Sequence, residues 1–401
     1  MLARARAAPL PRFIVLFSVL YLAFGVASPF LPAFLESRGL TPQQVGLVLA
    51  LGTAIRLLSG PTAGRIADLL QALRTVLAVC TAVAAAVTYG FLPAQGFWIL
   101  LIVSLLHAAM VAPTTTLADA LALGASKPRA ASRGFEYGWV RGAGSAAFIV
   151  GLVISGQAVN AFGLAAIIAL QAAFLLAAAA GAMIVPELVR DRDVSTTKFS
   201  AGSVRDLLRL PLFRRLVLVA ALILGSHAMH DSFAMIRWNA AGIDAGTGSI
   251  LWAESVAAEV VVFFLIGPLL LRYISPATAM TIAACAGVLR WMVMAQTADV
   301  VAIALVEPLH GLTFALLHLA CMRVLAAIVP PGLAGTAQAI YGTLGIGATS
   351  AILTFASGTL YANFGAAGFW AMAALCAAAL PLTLTLRVSA AASVPPSPRR
   401  E

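Results

Sequence analysis

Glu307, His310, Phe314, His318 and Cys321 follow one another at spacings of three, four, four and three. At about 100° per residue of an α-helix they share roughly one 80° stripe. A carboxyl, two imidazoles and an aromatic ring on one face can pass protons and hydrogen-bond a polar solute. Any one of these histidines alone reads as a packing residue; the set reads as the lining of a cavity. A second stripe, His227, His230, Asp231, Ala234 and Trp238, has the same character. Glu259 shares a face with Ser255 and Trp252, whereas Glu254 lies on another side. Arg290 adjoins Trp291, and Arg56 stands on no polar stripe. Either guanidinium can hold an anionic group or a structural acid. Ser18, Tyr21, Gly25 and Ser28 form a small, weakly polar stripe near the start.

Patterns for other chemistry are missing. The chain has no HExxH, no GxSxG and no GxxxxGK, and His230–Asp231 is its single adjacent His–Asp pair. Cys80, Cys285, Cys321 and Cys376 follow neither CxxC nor zinc spacing. No metal, no cofactor and no enzymatic activity are expected.

The elements that must position these side chains are apolar runs. Hydrophobic residues make up 62% of the 401 and charged ones 10%. A helix needs ~20 apolar residues to cross a bilayer. Twelve candidate spans lie near 13–35, 45–66, 75–92, 97–121, 137–159, 164–185, 213–236, 249–271, 277–296, 299–328, 335–361 and 366–387. The connectors Pro93–Gly96, Asn160–Gly163 and Gln296–Ala298 are too short for soluble structure, so no extramembrane domain of any size is expected. The first run continues to Phe34 and is read as a span rather than a cleaved signal.

A formal charge of +10 suggests nucleic acid in a soluble protein, but its placement argues otherwise. Arg4, Arg6, Arg12, then Arg65 and Arg74, then Lys127, Arg129, Arg133 and Arg141 mark alternate loops. Seven basic residues from Arg190 to Arg215, then Arg272, Arg323 and Arg387, continue the pattern. Among the other loops only the first and the seventh are basic, with Arg38 and Arg237. This is the positive-inside pattern of a multi-pass protein with both termini cytoplasmic. Composition points to a bacterial inner membrane. Arg56, Asp119, Asp231, Glu254, Glu259, Arg290 and Glu307 fall within or near spans. Each costs ~2.5–3.5 kcal/mol at a helix centre, so they must pair, protonate or line a wet cavity. Acids outnumber arginines in this set, which is what a proton carrier requires.

The polar stretch after span six divides the chain. The expected parts are a six-helix bundle over 1–190, a cytoplasmic linker over 191–212, a second six-helix bundle over 213–388 and a short tail over 389–401. Ser203 to Arg209 reads as a short amphipathic surface helix with Ser203 as its cap. At one constant offset Phe30 falls on Phe233, Gly39 on Gly242, His107 on His310, Gly142 on Gly345, Gly144 on Gly347 and Asn160 on Asn363. Parallel six-span repeats indicate a two-bundle transporter with a site near the midplane. The fold class is therefore all-α, with twelve transmembrane helices. Asp68, Asp119, Glu136 and Arg141 lie towards loop ends and read as gating residues.

Gly64-Arg65-Ile66-Ala67-Asp68, with Arg74 after it, resembles the signature loop of the major facilitator superfamily, although Leu69 replaces the usual basic residue. Ser226-His227-Ala228, Leu251-Trp252 with Glu259, Leu309-His310-Gly311-Leu312-Thr313-Phe314 and Tyr137-Gly138-Trp139-Val140-Arg141-Gly142 resemble the phenylpropionic acid permease branch. That branch is related to oligosaccharide and nucleoside proton symporters. The resemblance implies proton-coupled uptake of a small organic acid, aromatic carboxylates among the candidates. Its expected partners are the solute, protons and the bilayer, with the chain a monomer. Glu259, Glu307 and His310 are the candidates for proton handling. Arg290 and Arg56 are those for an anionic group, and His227, Asp231, Phe314, His318, Trp252 and Tyr21 those for the pathway. A proton-antiport exporter of drugs or metabolites shares these features, and a polytopic membrane enzyme is the third class weighed.

Overall fold

In lipid a chain must satisfy its own N–H and C=O groups, so each apolar run folds as a helix. The computed structural model describes residues 9–126, 134–187 and 201–386. Ten of its helices are long and apolar enough to cross a membrane. One of these, Ala334–Leu384, is interrupted by the turn Gly365–Gly368 and holds two spans, and Leu73–Tyr89 is a shorter apolar helix. Twelve spans result, with the order expected from the apolar runs. They are Pro9–Ala27, Pro42–Leu70, Leu73–Tyr89, Phe97–Ser126, Tyr137–Phe162, Ala165–Ile184, Pro211–Ala240, Ala245–Tyr273, Pro276–Gln296, Val300–Ile328, Ala334–Phe364 and Phe369–Leu384. The first part of the linker, 191–200, and the tail at 389–401 lie outside the described residues. The surface helix is Ala201–Arg209, so Ser203 lies inside it and is not its cap.

Two spans are broken where hydropathy shows no break. Span one stops at Ala27, and a short helix, Leu31–Ser37, follows the Ser28–Phe30 turn. Span seven is interrupted at Ser226–His227 between helices Pro211–Gly225 and Ala228–Ala240. Wide π turns occupy Val262–Ile266 in span eight, Gly311–Leu316 in span ten and Tyr341–Ala348 in span eleven.

The chain forms two compact units. One takes the described residues of Met1–Ser195 together with Met229–Glu254 and Ala351–Gly365. There span one packs on five and six, span two on four, and span three on four and six. Phe13, Phe17, Leu20, Leu77, Leu121 and Leu175 fill its core. The other unit takes Thr196–Ala228, Ser255–Ser350 and the described residues of Ala366–Glu401. There span nine packs on twelve, and the π turns of spans eight and ten meet.

The repeat is visible in the backbone of the first unit. Gly39 and Gly242 have φ of +86° and +89°, a conformation open to glycine. Leu40 N–H donates to Leu35 O and Ile243 N–H to Trp238 O, closing the same helix stop twice. The next helix is capped by Thr41 in one copy, accepting from Gln44 N–H at 3.3 Å, and by Asp244 in the other, accepting from Thr247 N–H at 3.1 Å. These turns lie at the face of the odd-numbered loops, where helices of both sequence halves cross closely. A Cβ on Gly358 would stand 2.8 Å from Pro42 O, and one on Gly156 would stand 2.0 Å from Ser249 Oγ. Asn160 fastens the second crossing: it donates to Asp244 Oδ1 at 2.8 Å and accepts from Ala245 N–H at 3.1 Å.

Candidate functional site

Span ten builds the centre of the second unit. Asp299 caps its start, accepting from Ala302 N–H at 2.9 Å. Pro308 brings no N–H, and the helix tightens into a 3-10 turn over Glu307–Leu309 before widening at Gly311–Leu316. A tight turn over-rotates the chain and a wide one under-rotates it, so the two offset each other. Glu307, His310 and Phe314 thereby stay near one face. Gly311 permits a close approach of span eight, since a Cβ there would lie 2.7 Å from Ala258 O, next to Glu259.

Four charged or titratable side chains form a continuous line. Arg290 donates to Glu307 Oε2 at 2.7 Å, and both side chains are 0% exposed. Arg290 also reaches His310 Nδ1 at 3.2 Å. A guanidinium only donates, so Nδ1 must accept, and the proton of the neutral ring sits on Nε2. Nε2 then donates to Glu259 Oε2 at 3.2 Å. His310 is 15% and Glu259 28% exposed, so accessibility rises along the line from Glu307 to Glu259. Phe314 stacks on His310 with centroids 5.5 Å apart, and the His227 ring meets His310 edge-on at 5.1 Å. Thr313 Oγ1 lies 2.9 Å from His227 Nε2 and 3.2 Å from the His310 carbonyl. The geometry supports charge neutralisation at one end and proton exchange at the other.

The remaining expected residues fall in other places. His318 lies towards Tyr341, whose hydroxyl is 3.4 Å from Nδ1, and stacks with Phe263. In the first unit, Trp252 packs 4.6 Å from the His230 ring, and His230 Nδ1 is 3.2 Å from Asp231. The break in span seven thus divides its stripe, sending His227 to one cluster and His230 to another. Tyr21, expected on the pathway, and Arg141 and Asp119, expected at a gate, form one group. Arg141 donates to the Tyr21 hydroxyl and pairs with Asp119 at 3.7 Å, while the Tyr137 hydroxyl donates to Asp119 at 2.6 Å. Glu136 precedes span five with no capping bond from its side chain. Asp68 is exposed near the end of span two. Arg56 is exposed at mid-span, within electrostatic reach of His107.

Sequence reasoning did not single out Thr313, the Tyr341 hydroxyl or the Trp291–Ser226 bond of 2.8 Å. Tyr137 and Tyr341 do match across the halves with a one-residue slip, a signal that could have marked both as structural partners.

Comparisons with known proteins agree with this architecture. Residues 12–372 match the model of the MFS_1 like family. A protein of Escherichia coli (strain K12) named "Probable 3-phenylpropionic acid transporter" is 32% identical over 357 residues, 88% of this chain and 91% of that one. "Uncharacterized transporter YwbF" of Bacillus subtilis (strain 168) is 22% identical over 343 residues, 85% of this chain and 84% of that one. Among solved structures, the nucleoside transporter NupG superposes with a TM-score of 0.80 at 15% identity, covering 94% of this chain and 97% of that one. A bacterial homologue of the human lysosomal transporter Spinster gives 0.71 at 14% identity, covering 96% and 98%. These two likenesses concern the fold. By the family match and the 32% relative, the chain belongs to the MFS_1-like family and is a multi-pass secondary transporter with the major facilitator fold.

Proposed function

We propose that the chain carries a small organic acid, of the aromatic carboxylate kind named for its 32% relative, inward with protons across a bacterial inner membrane. The observation that carries the reading is the line Glu307–Arg290–His310–Glu259. Glu307 is neutralised by Arg290 in a site with no exposure. The Nδ1 lone pair of His310 is taken by Arg290. Glu259 is the accessible end and the carboxyl that accepts the proton, with His310 as its hydrogen-bonded neighbour. The positive-inside pattern puts both termini in the cytoplasm and the odd-numbered loops outside. The close crossings at that face then close the outer entrance. Asp68, Glu136, Asp119 and Arg141 act at the inner side, and the working unit is one chain.

The test is Glu259→Gln in proteoliposomes loaded and diluted to impose a pH gradient. Accumulation against a gradient should vanish, while exchange of labelled for unlabelled solute at equal pH persists. Undiminished gradient-driven accumulation would remove Glu259 from the mechanism.

A further inference from the structure

The offset that carries His107 onto His310 also carries Arg56 onto Glu259. The two halves therefore hold the same pair of positions, one on span two or eight and one on span four or ten. In the second half the pair is carboxylate and imidazole, joined at 3.2 Å. In the first half the carboxylate is replaced by a guanidinium. The consequence for hydrogen bonding is direct. His107 is 3% exposed and its Nε2 has no hydrogen-bond partner among the described residues. Arg56, the group nearest in role to the missing acid, offers only donors.

Arg56 is the midpoint of Pro42–Leu70. A charge at that depth facing acyl chains is costly. The side chain is both charged and exposed at this depth. That combination belongs to a recessed wall and not to an outward, lipid-facing position. No ion pair joins Arg56 to an acid among the described residues, whereas Arg290 is paired with Glu307 at 2.7 Å. Span two is held on span four near this level, where a Cβ on Gly52 would touch the Ala108 Cβ at 3.6 Å.

We propose that Arg56 and His107 form a carboxylate-binding position, in which an anionic solute supplies the acceptor that this half lacks and Glu259 supplies in the other. The carboxylate pairs with the guanidinium and takes a hydrogen bond from His107 Nε2. Duplication has thus produced one position that takes up a proton and one that takes up an anion. This assignment rests on the organic-acid reading above.

The experiment uses the purified full-length chain with 3-phenylpropionate and its uncharged amide, compared by calorimetric titration. The wild type should bind the acid at least tenfold tighter than the amide. Arg56→Gln should erase that preference by weakening the acid and not the amide, Arg56→Lys should keep part of it, and His107→Phe should lower it severalfold. Amide binding reports that each variant is folded. A wild-type acid preference retained in Arg56→Gln overturns this assignment and leaves the organic-acid reading standing. Binding of neither compound to the wild type overturns both.

Discussion

Arg290 and Glu307 show how a membrane interior treats a pair of charges. Both are fully buried, and each is tolerable because of the other. Removing one partner of such a pair costs about 3–5 kcal/mol, because the survivor keeps its desolvation penalty. Glu307→Gln should therefore lower the thermal midpoint of the purified protein clearly. The double variant Arg290→Met with Glu307→Met should recover most of that loss in the same melt. It should still fail in gradient-driven uptake, because His310 loses the donor that fixes its tautomer. Residue types were legible in the sequence: a mid-membrane acid, an arginine and an imidazole stand out against 10% charge. Partner choice was not. Nothing in spacing tells that Arg290 takes Glu307, or that Tyr21 and Asp119 join through Arg141 while Tyr137 donates to Asp119. Such choices depend on which helices touch.

The helices themselves were legible as apolar runs, and their interruptions mostly were not. Hydropathy averages over a window and is blind to whether a backbone bond runs to the third, fourth or fifth residue. Pro308 was a visible cause of one irregularity, whereas the Ser226–His227 break carries no proline. The close crossings at the odd-loop face give a further expectation. Gly358→Leu must push spans two and eleven apart, since a Cβ alone meets Pro42 O at 2.8 Å. Transport should fall at least tenfold, while membrane insertion, followed by a fused fluorescent reporter, stays normal. At the second crossing, the Asp244 carboxyl is held well below the usual aspartate range by hydrogen bonds from Thr247 and Asn160. A depressed folded value means this contribution is present above the ordinary aspartate pKa of about 3.9 and is lost only as pH falls through the folded value. Protection of the Ala245 and Thr247 amides from hydrogen exchange should therefore be flat between roughly pH 5 and 8. Asn160→Ala should reduce that protection at every pH in the range.

For the whole molecule, a duplicated plan was readable from a few matched residues, and the same helix stop at Gly39 and Gly242 gives it a backbone counterpart. What matched residues do not convey is where compactness divides. Besides the polar stretch after span six and the turn at Gly365, the boundary between the two units runs inside spans seven, eight and eleven, at Ala228, Glu254 and Ser350. Two of these points adjoin an irregular turn, the break at Ser226–His227 and the wide turn ending at Ala348. The wide turn that begins at Gly311 holds one residue more than an α turn requires. Releasing that residue into regular pitch would swing one end of span ten against the other by about 100° while the helix lengthens by about 1.5 Å. His310 sits at the edge of this turn, so such a change of pitch would move its ring relative to Glu259.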